Sequence, residues 1–549
     1  MIGVLLLVSS TACSFAQILE LKPGSVHGFE YSTKGGEVAE VFLGIPYAAA
    51  PIGELRFEKP VPVVPWKGVR NGTQFGATCH PHARKAALSP DPSEDCLTVN
   101  VIRPKRTAPA GGYPILLWVH GGGYEIGSAS LYGYKGFADI YIPHDIIVVT
   151  LQYRLGVYGF FSSGDSRMPG NLGLFDMAEA VKFVYENAEN MGADPSRITA
   201  WGLSAGGAAV GQLLLSPVSR DYIARSIEMS GSPWVSWAMG PNVPKNSLEL
   251  AEVLECTEDL KNCMKRKTVE EIYAATEKVW GPVIDGEFLQ DPDEMAATAP
   301  PKASIIGISD KEAAFFTIKA RAHTILSNLG ISPDDFLLWN RDKLVATIKR
   351  LIRHEFFESN TDEVIDKVIA YYVDRDEEES YDFYLDRYTE FISDVMFNVP
   401  SVDGILSRRE KGWDLFAYSF NHYNKAIWPD DLPKRLKGST HVNEYPYMFD
   451  IFAMGEFEID ETEQIVADVV QQSFINFVKT GVPLNQHGPW QDVGTSTDLR
   501  YLAISPKPRM EQGFYNEPTA LWHELRKYGY DLIKQAATGR VDRIVKNEL

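Results

Sequence analysis

The chain has 549 residues, of which 45% are hydrophobic and 23% charged, and its formal net charge is −20. This composition supplies a large apolar core and excludes wholesale disorder. The acidity excludes a nucleic-acid-binding surface, which needs a basic face, and length only loosely bounds domain number, because large α/β proteins can pack around one sheet.

In chain order, the first feature is "MIGVLLLVSSTACSFAQ", an apolar run from Ile2 to Val8 followed by small residues. Ser14 and Ala16 occupy the −3 and −1 positions of a cleavage site, so residues 1–16 are expected to be a signal peptide, too short to span a bilayer. No Lys or Arg precedes the run, which departs from the usual leader. No later stretch reaches about 18 consecutive apolar residues, so no transmembrane anchor is expected. Asn71-Gly72-Thr73 is a glycosylation sequon, making Asn71 the candidate acceptor. Beyond the leader lie Cys79, Cys96, Cys256 and Cys263, an even number suited to an oxidising compartment. Three connectivities are open, and the sequential one closes two short loops; a loop of about 15 residues gains roughly 3 kcal/mol.

Apolar strand-like runs then alternate with helix-like ones. "YPILLWVH" (113–120) ends in three glycines, and "DIIVVTLQYR" (145–154) is rich in β-branched residues. "GLFDMAEAVKFVYENAENM" (173–191) has helical spacing, while "RITAWG" (197–202) is a short strand followed by small helix-compatible residues from Ala205 to Leu215. "RSIEMSGS" (225–232), "ASIIGIS" (303–309) and "WDLFAYSF" (413–420) continue the strands, and "IVADVVQQSFINFVKTG" (465–481) reads as an amphipathic helix stopped by Gly481. Near-continuous apolar strands alternating with helices predict an α/β fold with a large, mostly parallel sheet covered on both faces. Residues 320–412 are more helical and charged, and are expected to form an insertion or cap within one domain spanning 17–549.

Within this frame, Gly202-Leu203-Ser204-Ala205-Gly206 fits G-x-S-x-G. A serine exposed on a sharp strand-to-helix turn takes a strained backbone, and glycines two positions either side avoid clashes. The pattern alone is weak, since about one chain in four of this length contains it by chance. Its strand-before, helix-after context strengthens it. So does "WVHGGGY" (118–124), where glycines after a strand let backbone amides reach a ligand oxygen. Gly122, Gly123 and Ala205 are the candidate donors of an oxyanion hole.

A serine nucleophile needs a base, and the base an orienting acid, in the chain order Ser, Asp or Glu, His. His323, His354, His422, His441, His487 and His523 all follow Ser204, and order alone does not choose among them. Asp310 and Glu312 are both well placed after the "ASIIGIS" strand.

The sequence resembles the type B carboxylesterase/cholinesterase family from roughly residue 20 to 525. The resemblance is carried by "FLGIPYAAAPIGELRF" (42–57), "SEDCLTVNV" (93–101), "LQYRLGVYGF" (151–160), "PGNLGLFDM" (169–177), "ADPSRITAWGLSAGG" (193–207), "GPVIDGEFL" (281–289) and "KTGVPLN" (479–485). It implies an α/β-hydrolase fold and a serine esterase with no metal or organic cofactor, acting on small-molecule esters through an acyl-enzyme. "GISDKEA" (307–313) matches the family's acid motif with Ala313 in place of its last glycine, and "GSTHVNE" (438–444) matches its histidine motif. The implied triad is Ser204, Glu312 and His441. The resemblance also implies the disulfides Cys79–Cys96 and Cys256–Cys263, and the buried ion pairs Arg56–Glu94 and Arg154–Asp176.

Two departures shape the expected substrate. The family usually carries Glu before the serine, where this chain has Leu203, and the first disulfide loop, "CHPHARKAALSPDPSEDC", has no aromatic residue for cation–π contact. Both point to neutral, apolar esters rather than choline esters. A lipase-like enzyme, a hormone or pheromone esterase, and a non-catalytic adhesion relative are the alternatives. The tail Lys546-Asn547-Glu548-Leu549 resembles the K-D-E-L retrieval signal, so retention in the endoplasmic reticulum lumen through a retrieval receptor is expected, with secretion as the alternative.

Overall fold

A computed structural model describes residues 17–529 and 531, apart from 84–90, 241, 277–279, 320–328 and 353–360. The expected signal peptide, the retrieval-like tail, His323 and His354 therefore lie outside the described residues.

The N-terminal strands are β1 (Gln17–Leu21), β2 (Gly24–Ser32), β3 (Val38–Pro46), β4 (Val69–Asn71) and β5 (Thr98–Pro104). The centre is built from β6 (Tyr113–Val119), β7 (Ile147–Leu151), β8 (Ala193–Leu203), β9 (Arg225–Met229), β10 (Ala303–Ser309) and β11 (Asp414–Phe420). The last two are β12 (Arg500–Ile504) and β13 (Arg509–Gln512). Among the described residues they form one sheet in the order β1-β2-β3-β5-β7-β6-β8-β9-β10-β11-β12-β13, with β4 pairing β2.

From β7 to β12 every pairing is parallel, as the alternating strands and helices predict. On the flanks β1–β2, β2–β3, β3–β5, β5–β7 and β12–β13 are antiparallel, while β2–β4 is parallel. The sheet is thus mostly parallel at its centre and mixed overall, with short turns joining β1 to β2, β2 to β3 and β12 to β13 without a crossover helix. Strands β6 and β7 are buried along their whole length, which is why their sequences show no polar alternation.

Helices cover both faces. On one side Leu172–Asn187 and Ala205–Leu215 share a core with Ile198 and Ala200; on the other, Trp118, Trp201 and Leu203 pack with helices Lys135–Tyr141 and Glu461–Thr480. The period-two switch along β8, Ala200 inward to one face and Trp201 to the other, is the pleat. Helix Glu461–Thr480 begins four residues before its apolar pattern does, because Asp460 caps it through the N–H groups of Thr462 and Glu463. It stops at Gly481, whose φ is +84°. Between β10 and β11, helices Arg341–Leu351, Thr361–Tyr372 and Tyr381–Ser393 build a third core together with Ile427, Trp428, Trp522 and Leu525.

Both sequential disulfides are present, Cys79–Cys96 and Cys256–Cys263. Arg154 and Asp176 form a bidentate buried pair, with Nε and Nη2 each 2.7 Å from a carboxylate oxygen. Arg56 pairs with Glu94 and also donates to the carbonyls of Lys265 and Lys267. Removing one partner of a buried pair costs about 3–5 kcal/mol, so Arg154–Asp176 is a structural tie to helix Leu172–Asn187, whereas the Arg56–Glu94 pair is only partly buried. Asn71 is exposed, and its side chain accepts from both the N–H and hydroxyl of Thr73. Among the described residues no helix is long and apolar enough to cross a membrane.

Candidate active site

The parallel register brings the chemistry to one edge. Leu203 pairs with Met229, and Met229 with Gly307, so β8, β9 and β10 end side by side. Ligands bind outside the carboxyl ends of such strands.

Ser204 stands between the end of β8 and the helix Ala205–Leu215 with φ +62° and ψ −128°, a conformation rare for any residue with a side chain. Its N–H donates to Met229 O at 2.8 Å and its carbonyl accepts from Ala208, so the turn is held from both sides. The glycines are sterically required. A Cβ on Gly202 would lie 2.4 Å from Gly206, one on Gly206 2.2 Å from Val119 O, and one on Gly207 2.6 Å from Met229 O. Leu203 is fully buried among Trp118, Trp201 and Met229. It belongs to the core of the opposite face and does not shape a substrate surface, so the argument from Leu203 to apolar esters has no structural footing.

The glycine loop lies against this turn. A Cβ on Gly121 would lie 2.5 Å from Leu203 O and 3.1 Å from Ser204 Cβ. Gly122 and Gly123 have φ of +113° and +63°. Among the described residues, the N–H groups of Gly122, Gly123 and Ala205 donate to no protein acceptor. Unpaired amides next to a helix N-terminus are suited to a developing oxyanion.

The acid and the histidine meet across the ends of β10 and the loop after β11. His441 Nδ1 lies 2.6 Å from Glu312 Oε2, and the His441 N–H donates to Glu312 O at 3.3 Å. Glu312 is fully buried and its other oxygen accepts from Ser309 N–H at 2.7 Å and Ser230 Oγ at 2.5 Å. With Nδ1 donating to the carboxylate, His441 Nε2 is left as the basic nitrogen. Val442, directly after His441, has φ +65°, a strained state for a β-branched residue. Rings of Phe315, Phe316 and Phe397 pack within 4.9–5.9 Å of the imidazole. Phe397 is carried on a π-helical turn, Asp394–Asn398, whose Met396 carbonyl accepts from Trp237 Nε1. The apolar character beside His441 therefore comes from these rings.

The structure brings Glu312 and His441 into contact, and Ser230, which donates to Glu312, directly precedes Gly231, a Cβ on which would lie 2.1 Å from Ser204 O. Ser204 Oγ makes no hydrogen bond among the described residues, a looseness common before substrate binds. Asp310 takes another role, accepting from Ser439 N–H at 2.8 Å on the loop that carries His441. His422 and His523 pair with Glu463 and Asp403, and His487 with Asp468. Sequence reasoning missed Ser230, whose partnership depends on strand register. It also missed His120, fully buried and stacked 4.5 Å from Tyr153, with Nδ1 2.9 Å from Gly121 O. Burial pushes the His120 pKa down to about 4.

A model of the carboxylesterase family matches residues 16–522. Gut esterase 1 of Caenorhabditis elegans is 41% identical over 544 residues, covering 95% of each chain. Acylcarnitine hydrolase of Mus musculus is 30% identical over 87% of this chain and 84% of its own, and liver carboxylesterase 1 of Oryctolagus cuniculus 29% identical over 95% and 96%.

Proposed function

This chain belongs to the carboxylesterase family, whose members are carboxylic ester hydrolases, and on that premise we propose that it works through an acyl-enzyme on Ser204. His441 Nε2 takes the Ser204 proton as Oγ attacks the ester carbonyl carbon. Glu312 holds the imidazole in its tautomer and stabilises its cation. The amides of Gly122, Gly123 and Ala205 receive the oxyanion; removing one such donor costs about 2.7–4 kcal/mol. The alcohol leaves with the proton from His441, forming the acyl-enzyme. Water then attacks, its proton passing to the same nitrogen, and the acid departs as Ser204 regains its hydrogen. The observation that carries this reading is the buried His441–Glu312 contact of 2.6 Å at the strand edge where Ser204 turns.

The substrates proposed are neutral esters with apolar acyl groups, supported by Phe315, Phe316 and Phe397 around His441. The name of the mouse relative raises a quaternary ammonium ester as a competitor. Two disulfides and the apolar leader support an oxidising lumen, and the Lys546–Leu549 tail supports retention there.

The test is an ester panel containing neutral butyl and aryl esters, an emulsified triglyceride, acetylcholine and a long-chain acylcarnitine. The neutral esters are expected to give the highest kcat/KM, and Ser204→Ala to lower kcat by about 10⁶-fold. A Ser204→Ala enzyme as active as the parent overturns the mechanism; acylcarnitine or acetylcholine turning over fastest overturns the substrate class.

A further inference from the structure

The turn that presents the two donor glycines does not support itself. Gly122, Gly123 and Tyr124 are consecutive residues at positive φ, and Tyr124 pays the steric penalty of a side chain there. Such a backbone persists only when its surroundings fix it. The next residue, Glu125, is the one that ties it down.

Glu125 is 1% exposed. Its N–H donates to Gly122 O at 3.1 Å, and its carbonyl accepts from His82 N–H at 2.9 Å. Its Oε1 accepts from Trp280 N–H at 2.7 Å, and its Oε2 lies 3.4 Å from His82 Nδ1. One residue therefore joins the glycine turn to two other loops. His82 is three positions past Cys79, at the root of the first disulfide loop, and Trp280 is buried, its ring stacked on Phe161. The Trp280 amide requires an acceptor at that depth, and an apolar residue at 125 would leave it orphaned. Burial holds the Glu125 carboxyl well above its ordinary range, which favours the uncharged acid.

We propose that Glu125 is a positioning residue for the oxyanion hole, anchoring the 122–125 turn to the disulfide loop and to Trp280 so that the Gly122 and Gly123 amides face Ser204. The inference rests on the mechanism above and adds a residue that no motif of the sequence marks.

The test compares Glu125→Leu, Glu125→Asp, Glu125→Gln and Ser204→Ala with the parent, using a neutral aryl ester and a trifluoromethyl ketone. The ketone adds the serine oxygen and presents an alkoxide to the same amides. Glu125→Leu is expected to lower kcat by about 10- to 100-fold, with KM within about threefold and ketone affinity falling in step. Glu125→Asp falls short of Trp280 N–H by one methylene and is expected to lose about tenfold, which keeps the test decisive if the Leu variant does not fold. Glu125→Gln keeps the acceptor and is expected to recover most of the rate. Folded Leu or Asp variants with parental kcat and ketone affinity overturn the inference, as does a Gln variant no better than Leu. In either case an inactive Ser204→Ala leaves the mechanism standing, whereas an active one removes the mechanism itself.

Discussion

His441 Nδ1 and Glu312 Oε2 lie 2.6 Å apart although 129 positions separate them in the chain, and both side chains are shielded from solvent. Burial strengthens the contact, because a hydrogen bond to a carboxylate in a low-dielectric site is screened little. It also makes the pair intolerant of a wrong partner. In Glu312→Gln the amide meets an N–H donor with either face wrong: its NH2 opposes His441 Nδ1–H or opposes the Ser309 and Ser230 donors. The expected result is a kcat lower by about 10³–10⁴-fold with the fold intact, the imidazole being driven to the other tautomer. Steady-state kinetics on a neutral aryl ester checks this, and a loss below about tenfold speaks against Glu312 as the orienting acid.

Ser230 is the second tether of that carboxylate, through Oγ at 2.5 Å from Oε1. Hydrogen bonds to a charged group contribute about 1.5–3 kcal/mol, so Ser230→Ala is expected to lower kcat by roughly 10- to 100-fold, with KM little changed. An unchanged kcat means that Ser309 N–H alone suffices to place Glu312.

His120 carries a pH signature in stability rather than in chemistry. Burial depresses its pKa to about 4, below an unfolded value near 6.5. Between those values the unfolded chain binds a proton that the folded chain does not, so stability falls as pH falls. About 3 kcal/mol that is present above pH 6.5 is lost by about pH 4. Urea unfolding of the parent and His120→Gln at several pH values isolates this contribution, since other groups cancel in the difference. The variant is expected to show the flatter dependence, and equal dependences rule out His120 as the source.

Much of the fold is legible from local pattern. The apolar run at 303–309 is β10 to the residue, and the runs near 113, 147 and 414 lie within a few residues of their strands. Strand β8 begins at Ala193, earlier than the apolar pattern, because Ala193 pairs with Tyr113 of β6, and residues 194–197 form an irregularity before regular pairing resumes at Ile198. The antiparallel flanks are harder to read, since β1 and β13 are edge strands and β2, like them, is half-exposed, so their alternation is weak.

By itself the sequence determined where backbone geometry is forced. A Cβ on Gly202 would meet Gly206 within the same short turn, so spacing exposes that turn, whereas Gly206, Gly207 and Gly121 answer to Val119, Met229 and Leu203 on other segments. It did not decide which of six histidines faces Glu312, and resemblance to a known family, not residue pattern, named His441. Only the tertiary structure decided that Ser230 supports Glu312, that Glu125 ties down the glycine turn, and that Leu203 belongs to the far core. The physical reason is common to all three. Each role is a contact between segments distant in sequence, and such contacts follow from strand order and register, which a local pattern of side chains does not contain.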